Sequence, residues 1–242
     1  MEYTSVIFKI GGKVLENFED LNSTISQLTQ LYEKGRIKRI ILIPGGGSLA
    51  NFIRKVHSEL NFTEELAHWM GIISMNYNGI ELGKNFPELD AIEDINRLKK
   101  LDKCFCIFLP YRFLKEIDRL PHSWDVTSDS ITLFLAKELE ISHCFLIKDI
   151  DGILNKENQV IKELTTSEYK IMKESGKLSE INSVEGELKN KSRPIDSYLL
   201  TLIDKWKISC VILNGKSNNQ RISEYFDESK SDSEKIFSII KY

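Results

Sequence analysis

Short apolar runs alternate along the chain with longer stretches in which apolar residues recur every three or four positions. The first pattern is typical of buried strands, and the second is typical of helices that bury one face. Strands are therefore predicted at residues 5–10, 39–43, 104–109, 144–147 and 210–213. Helices are predicted at residues 21–33, 48 to about 60, 63–82, 126–139 and 195–205. Apolar strands separated by helices indicate an α/β fold, with a largely parallel sheet covered on both faces.

One stretch departs from this alternation. Residues 173–193 are polar and charged and contain few large apolar side chains. Such a composition is typical of a solvated loop, and a lid over a binding site has the same character. Composition favours the loop, and the two interpretations are not exclusive.

The first predicted strand ends at a candidate phosphate-binding turn. Lys9 stands at the end of the strand, and the pair Gly11 and Gly12 follows it. Glycines allow the backbone to approach a phosphate closely with its N–H groups, and a lysine adds a charge to the same anion. A tight turn after a strand explains the two glycines equally well.

The second predicted strand ends in a run of three glycines, Gly45, Gly46 and Gly47, followed by Ser48. Three successive glycines cost backbone entropy, and the N–H groups at the start of the next helix form an anion site. A plain turn with Ser48 as the N-cap is the alternative. Ligands in α/β sheets bind beyond the carboxyl ends of strands, so two such loops together favour a binding site.

The segment HSWDVTSDS at residues 122–130 concentrates polar groups ahead of an apolar helix. Asp125, Thr127 or Ser128 can cap the helix, and an acidic residue suits its first turn. Capping explains one of these polar residues and leaves the others unexplained. An aspartate of this segment can also hold Lys9 in place, and Trp124 can stack on a flat ring, although a tryptophan packs as readily.

A further polar motif follows the strand CFLI. It consists of Lys148, Asp149, Asp151 and Gly152. Carboxylates at the carboxyl end of a strand can contact a ribose or position a lysine. An Asp-Gly turn is the structural alternative.

Composition restricts the possible functions. The chain has 242 residues, 41% of them hydrophobic, and 33 basic against 36 acidic residues give a net charge of −3. This charge balance argues against a protein that binds nucleic acid through an overall positive charge. No apolar run approaches the roughly 20 residues that span a bilayer, so a cytoplasmic protein is expected. The four cysteines lie in apolar runs without a CxxC pair, which favours buried hydrophobic residues over a metal or redox site.

Taken together, these motifs resemble the amino acid kinase superfamily, which includes carbamate, acetylglutamate and bacterial-type uridylate kinases. The resemblance runs in order through VIFKIGGKVL, IILIPGGGSLANFIRK, WDVTSDSITLFLAKEL, FLIKDIDGIL and VILNG. HSWDVTSDS and KDIDGI are most similar to archaeal kinases of the aminomethylfuran phosphate kinase type, which add a second phosphate to a furan phosphate. The resemblance implies a three-layer αβα sandwich around a mainly parallel sheet. It also implies one domain over 1–242, with an acceptor lobe at 1–110 and a nucleotide lobe at 111–242.

The resemblance also assigns roles by position. Lys9 would contact the transferred phosphoryl group, and Asp129 would organise that lysine. The phosphate- or nucleotide-binding set would be Gly11, Gly12, Lys148, Asp149, Asp151 and Gly152. The acceptor-binding set would be Gly45, Gly46, Gly47, Trp124, Thr127 and Ser128. ATP would be the donor, with Mg²⁺ held largely by its phosphates rather than by protein ligands. The resemblance further implies that the acceptor is a small molecule. It also implies that the protein forms a homo-oligomer, dimeric or larger.

Three departures from the family pattern leave alternatives open. Lys13 stands where a Ser or Thr usually follows the paired glycines, and Lys148 stands where a Thr is common. The Gly-Gly-Met-x-x-Lys segment that carries a second catalytic lysine is absent from the sequence, and Lys189, Lys191 or Arg193 could substitute. The leading hypothesis is an ATP-dependent phosphotransferase on a small phosphorylated metabolite, with a furan phosphate favoured. The alternatives are a uridylate or isopentenyl phosphate kinase, or a nucleotide-binding regulatory or storage protein with little turnover.

Overall fold

The computed structural model describes residues 3–179 and 194–242. The strands within these residues are β1 (Tyr3–Ile10), β2 (Ile37–Pro44), β3 (Asp90–Ile92), β4 (Cys104–Phe108), β5 (Cys144–Lys148), β6 (Ile153–Leu154), β7 (Val160–Ile161), β8 (Glu163–Thr165), β9 (Cys210–Asn214) and β10 (Ser238–Lys241). The helices are α1 (Gly12–Glu16), α2 (Phe18–Glu33), α3 (Gly47–Leu60), α4 (Glu64–Asn85), α5 (Ile95–Lys99), α6 (Tyr111–Ile117), α7 (Ser128–Glu138), α8 (Thr166–Glu174), α9 (Ser197–Trp206) and α10 (Arg221–Tyr225).

A central sheet of eight strands organises the molecule, in the order β3-β4-β2-β1-β5-β9-β10-β8. The six strands from β3 to β9 pair in parallel. β10 is antiparallel to β9 and parallel to β8, while β6 and β7 form a separate antiparallel pair. β1 lies at the centre between β2 and β5, so the carboxyl end of β1 is flanked by both neighbouring loops.

Each face of the sheet carries its own hydrophobic core. Ile7 of β1 belongs to the core formed with α7 and α9, whereas Val6, Phe8 and Ile10 belong to the core formed with α2 and α10. Successive side chains of a strand point to opposite faces, so a strand buried on both faces must be apolar throughout. The molecule is therefore a three-layer αβα sandwich around a mainly parallel sheet, as predicted.

The predicted strands and long helices all occur, with ends shifted by a few residues. Short elements were missed, including α1 directly after Gly11 and the strand β10 at the far side of the sheet. The four cysteines are free and buried in β4, β5 and β9. No helix of the described residues is long and apolar enough to cross a bilayer.

The polar stretch 173–193 is described in part. α8 continues to Glu174, and Leu178 then forms a β-bridge with Asn155 next to the β6–β7 pair. Residues 180–193 lie outside the described residues, and Lys189, Lys191 and Arg193 lie there with them. The lid hypothesis therefore stays a prediction.

Candidate active site

Three charged side chains meet beneath the carboxyl ends of β1 and β5. Asp129, in the first turn of α7, places its Oδ1 3.0 Å from the Nζ of Lys9 and its Oδ2 2.7 Å from the Nζ of Lys148. All three side chains are at least 88% buried, with exposed fractions of 7% for Lys9, 4% for Asp129 and 12% for Lys148. We refer to Lys9, Asp129 and Lys148 as the buried triad.

Burial and charge act against each other within the triad. Burial lowers the pKa of Lys9 to about 8, although the charge of Asp129 opposes that shift. Burial alone would raise the pKa of Asp129, but the charges of Lys148 and Lys9 outweigh it and lower the pKa to about 2. Asp129 therefore stays ionised, whereas Lys9 titrates near the physiological range. The ion pairs offset the free-energy cost of burying the Asp129 carboxylate, but they do not offset the cost of burying the Lys9 ammonium group.

The two glycine loops touch each other beside the triad. An added Cβ at Gly12 would lie 2.5 Å from the Cα of Gly47, so a side chain cannot fit between the loops. The Gly45 N–H donates to the carbonyl of Ile10 over 2.9 Å, which ties the second loop to the end of β1. Gly47 has a φ of +57°, a conformation that favours glycine. The loops are held together by backbone contacts.

The first loop does not leave both predicted donors free. The Gly11 N–H donates to the carbonyl of Ile147 over 2.8 Å and so continues the pairing of β1 with β5. Gly12, by contrast, is the first residue of α1. The Gly11 N–H is therefore already paired in this structure, and the assignment of Gly11 and Gly12 to a phosphate stays a prediction. An added Cβ at Gly11 would lie 3.6 Å from the Lys9 Nζ and 3.6 Å from the Lys148 Cα.

The amino end of α3 already holds a carboxylate. Glu16, at the end of α1, accepts a hydrogen bond from the Ser48 N–H. On the other side of the loop, the Asn78 side chain donates to the Gly45 carbonyl over 2.7 Å. Free N–H groups and the helix dipole favour a negative charge at this position. The position suits an anion, and Glu16 occupies it in this structure.

Thr127 and Ser130 donate hydrogen bonds to a buried carboxylate, Asp196, which sequence reasoning missed. Asp196, the N-cap of α9, accepts hydrogen bonds from the Thr127 N–H and hydroxyl at 2.9 and 2.8 Å. It also accepts from the Ser130 N–H at 3.0 Å and from the Ser130 hydroxyl. Burial, followed by the nearby charge of Asp129, raises the pKa of Asp196. These contacts lock the start of α7, and with it Asp129, against α9.

Trp124 lies next to α4 near the second glycine loop. Its Nε1–H donates to His57 over 3.1 Å, and the Arg54 guanidinium lies 4.5 Å from its ring centroid. An added Cβ at Gly71 of α4 would contact the indole at 3.5 Å, and the Gly71 carbonyl in turn faces Gly46. Trp124 is thus connected to the loop through one helix, with a cation on its ring.

The carboxylates after β5 are paired with cations or amides. Asp149 accepts from Lys13 over 3.1 Å, and both side chains are partly exposed. Asp151 accepts from Asn214 over 3.1 Å and from Arg221 over 3.2 Å. The residue that stands in the usual Ser or Thr position, Lys13, therefore bridges the first loop to the motif after β5.

Gly152 has a structural requirement of its own. Its φ is +148°, and an added Cβ would lie 3.1 Å from the Cβ of Ser238. The Ser238 hydroxyl accepts from the Ile153 N–H over 2.8 Å, so β10 packs directly on this turn. Among residues 3–179 and 194–242, no group of three or more His, Cys, Asp or Glu side chains is placed to hold a metal ion.

Comparison with known proteins agrees with this architecture. Residues 4–101 and 107–214 match the sequence profile of the amino acid kinase family. The chain belongs to the amino acid kinase family. As a member of this family, the chain is a small-molecule kinase. The triad and the two glycine loops lie at the carboxyl ends of the strands, which is where α/β sheets generally bind ligands.

Two kinds of relatives were found. The chain is 34% identical to the [5-(aminomethyl)furan-3-yl]methyl phosphate kinase of Methanocaldococcus jannaschii over 153 residues, which is 62% of this chain and 68% of that protein. The fold is similar to the crystal structure of UMP kinase from Ureaplasma parvum, with a TM-score of 0.67, 19% identity and all of both chains covered. Uridylate kinase from Archaeoglobus fulgidus gives a TM-score of 0.62 at 16% identity, covering 98% of this chain and 99% of that one.

Proposed function

We propose that the protein transfers the γ-phosphoryl group of ATP to the phosphate of a small metabolite of the aminomethylfuran phosphate class. The observation that carries the proposal is the buried triad beside two glycine loops, because this group of charges is shaped for an anion. The 34% identity to the M. jannaschii enzyme supports a phosphate monoester as the acceptor.

The chemistry asked of the protein is positioning and charge neutralisation. Phosphoryl transfer spreads negative charge over the oxygens of the transferred group, and preorganised donors stabilise that charge. Lys9 and Asp129 are the residues proposed to act on it, as the family resemblance implies. Mg²⁺ bound with the nucleotide would neutralise further phosphate charge. The acceptor phosphate is itself the nucleophile, so a separate general base is not required.

The two lobes are proposed to divide the ligands between them. Residues 1–110 would bind the acceptor, with Gly45, Gly46 and Gly47 at its phosphate and Trp124 of the other lobe against its ring. Residues 111–242 would bind the nucleotide through the motif from Lys148 to Gly152. The position of Lys9 between these two regions, at the end of the central strand, supports this division.

We propose a homo-oligomer formed through α3 and α4. Only Ile53 of the 14 residues of α3 is buried. Large apolar side chains are exposed on both helices, by 38–71%: Leu49, Phe52, Leu60, Leu66, Ile73, Tyr77 and Ile80. A concentration of exposed apolar groups on packed helices is typical of an interface. The free cysteines support a reducing compartment such as the cytoplasm.

The decisive experiment measures ADP release from ATP and Mg²⁺ in the presence of a panel of phosphorylated metabolites. The panel should contain an aminomethylfuran phosphate, UMP and isopentenyl phosphate. Turnover with the furan phosphate at a kcat/KM at least tenfold above the others is expected. A preference for UMP or isopentenyl phosphate would refute the acceptor class, and nucleotide binding without turnover on any acceptor would refute the kinase proposal.

A further inference from the structure

The buried triad carries one positive charge in excess. Each oxygen of Asp129 is used by a different ammonium group, Oδ1 by Lys9 at 3.0 Å and Oδ2 by Lys148 at 2.7 Å. An unmatched buried charge is costly and is kept only where something compensates it. Lys9 and Asp129 alone would form a neutral pair, so Lys148 is the residue that supplies the excess charge. The triad is therefore incomplete without an anion.

The two ammonium groups approach the site from different sides. Lys9 ends β1 beside the second glycine loop, where an added Cβ at Gly45 would lie 3.4 Å from the Lys9 Cε. Lys148 ends β5, and its carbonyl accepts from the Gly215 N–H over 2.8 Å, which joins the ends of β5 and β9. Gly11 lies beside Lys9, and a Cβ added there would lie 3.6 Å from the Lys9 Nζ and 2.9 Å from the Ile147 carbonyl oxygen. Because the Asp129 carboxylate holds both Nζ atoms, a single anion at the triad can contact both.

We propose that Lys148 is a second catalytic lysine, which contacts the γ-phosphoryl group from the nucleotide side while Lys9 contacts it from the acceptor side. Asp129 is the positioning residue that holds both ammonium groups. This assignment rests on the proposed kinase function. It gives the missing lysine of the family pattern a candidate among the described residues, at a position where family members commonly carry a Thr.

The transfer step balances without any proton on the lysines being moved. An oxygen of the acceptor phosphate forms a bond to the γ-phosphorus, and the bond from the γ-phosphorus to the oxygen that bridges to the β-phosphate breaks. The electron pair of the broken bond stays on that oxygen, which leaves as part of ADP. Lys148, on the nucleotide side in this proposal, would face the oxygen on which this negative charge accumulates.

The test measures binding without turnover, so that it does not depend on the acceptor. Affinities for ADP and for a non-hydrolysable ATP analogue, each with Mg²⁺, are compared in the wild type, Lys148→Met and Lys148→Arg. Lys170→Met is the matched control, because Lys170 pairs with Asp204 at the surface and is 49% exposed. Lys148→Thr serves as a second neutral variant if Lys148→Met does not fold.

Lys148→Met is expected to weaken binding of the ATP analogue about tenfold or more, while the affinity for ADP changes less than about threefold. Lys148→Arg should recover part of the preference for the analogue, because it keeps the charge. A ratio of the two affinities that stays unchanged in the neutral variants would overturn the assignment, whether both affinities are kept or both fall equally. If the wild type binds neither nucleotide, the proposed function itself fails as well.

Discussion

Removing the charge of Asp129 is expected to change the pH at which the enzyme loses activity. In the proposed mechanism Lys9 acts as an ammonium ion, and its pKa of about 8 then places the alkaline limb of kcat/KM near that pH. Above this pH Lys9 becomes neutral and kcat/KM falls. Because Asp129 raises the pKa of Lys9, the Asp129→Asn variant should lose activity at a lower pH.

The ion-pair distance sets the size of this shift. A charge pair 3.0 Å apart interacts by about 5.5 kcal/mol at an effective dielectric constant of roughly 20. Even a third of this lowers the pKa of Lys9 by about one unit, since one unit corresponds to about 1.4 kcal/mol. The alkaline limb of Asp129→Asn should therefore move from about 8 to about 7 or below. Bound phosphates restore a negative charge beside Lys9, so the limb of kcat should move less than that of kcat/KM.

The assay is initial-rate ADP release from pH 6 to 10 at several acceptor concentrations. Asp204→Asn is the matched control, since Asp204 pairs with Lys170 and is 42% exposed, and its limb should match the wild type. The pKa of Asp129 at about 2 rather than 3.8 also contributes about 2 kcal/mol to stability at neutral pH. That contribution is lost progressively as the pH falls from about 3.8 through about 2. An alkaline limb that stays near 8 in Asp129→Asn would refute the coupling of Asp129 to Lys9.

Three further outcomes follow from the site and its surroundings. Lys9→Met should slow turnover about 100-fold or more. The urea midpoint should not fall, because the substitution removes an incompletely compensated buried charge while Asp129 keeps Lys148 as its partner. Glu16→Gln should lower the KM for a phosphate acceptor severalfold, because the Ser48 N–H loses a competing carboxylate; a raised KM would show instead that Glu16 binds the acceptor. Phe52→Asp should lower the mass measured by light scattering to that of the monomer, and an unchanged mass would rule out α3 as the interface.

The sequence predicted the parts of the site that stand at the ends of apolar strands. Lys9 follows a run of apolar residues that only a doubly covered strand explains, and its position at the edge of the sheet follows from that. The polar groups around Asp129 exceed what one helix cap needs, and the family resemblance singled out Asp129 among them. Both predictions depended on the local sequence pattern, which can be read from the residues of one strand or helix and the loop beside it.

Residues that join the site over long separations were not predictable in this way. Asp196 resembles an ordinary N-cap before an apolar helix, and its contacts to Thr127 and Ser130 cross more than 60 positions. Arg221 stands in a polar segment with no periodic pattern, although it reaches Asp151. The signal for Asp196 was present as Pro-Ile-Asp ahead of an apolar run, but only the fold shows what the carboxylate caps besides its own helix.

The close approach of Gly12 and Gly47 separates the spacing of the two glycine loops from the choice of acceptor. Gly12 and Gly47 meet at backbone distance, so the spacing between the end of β1 and the second glycine loop leaves no room for a side chain at Gly12. Under the proposed function, substitutions on α3 and α4 that keep Gly47, Asn78 and the exposed apolar faces can change the acceptor while this spacing is kept. A library of variants confined to those remaining positions should yield altered acceptor preference at nearly constant nucleotide affinity, which makes this scaffold a starting point for kinases with new acceptors.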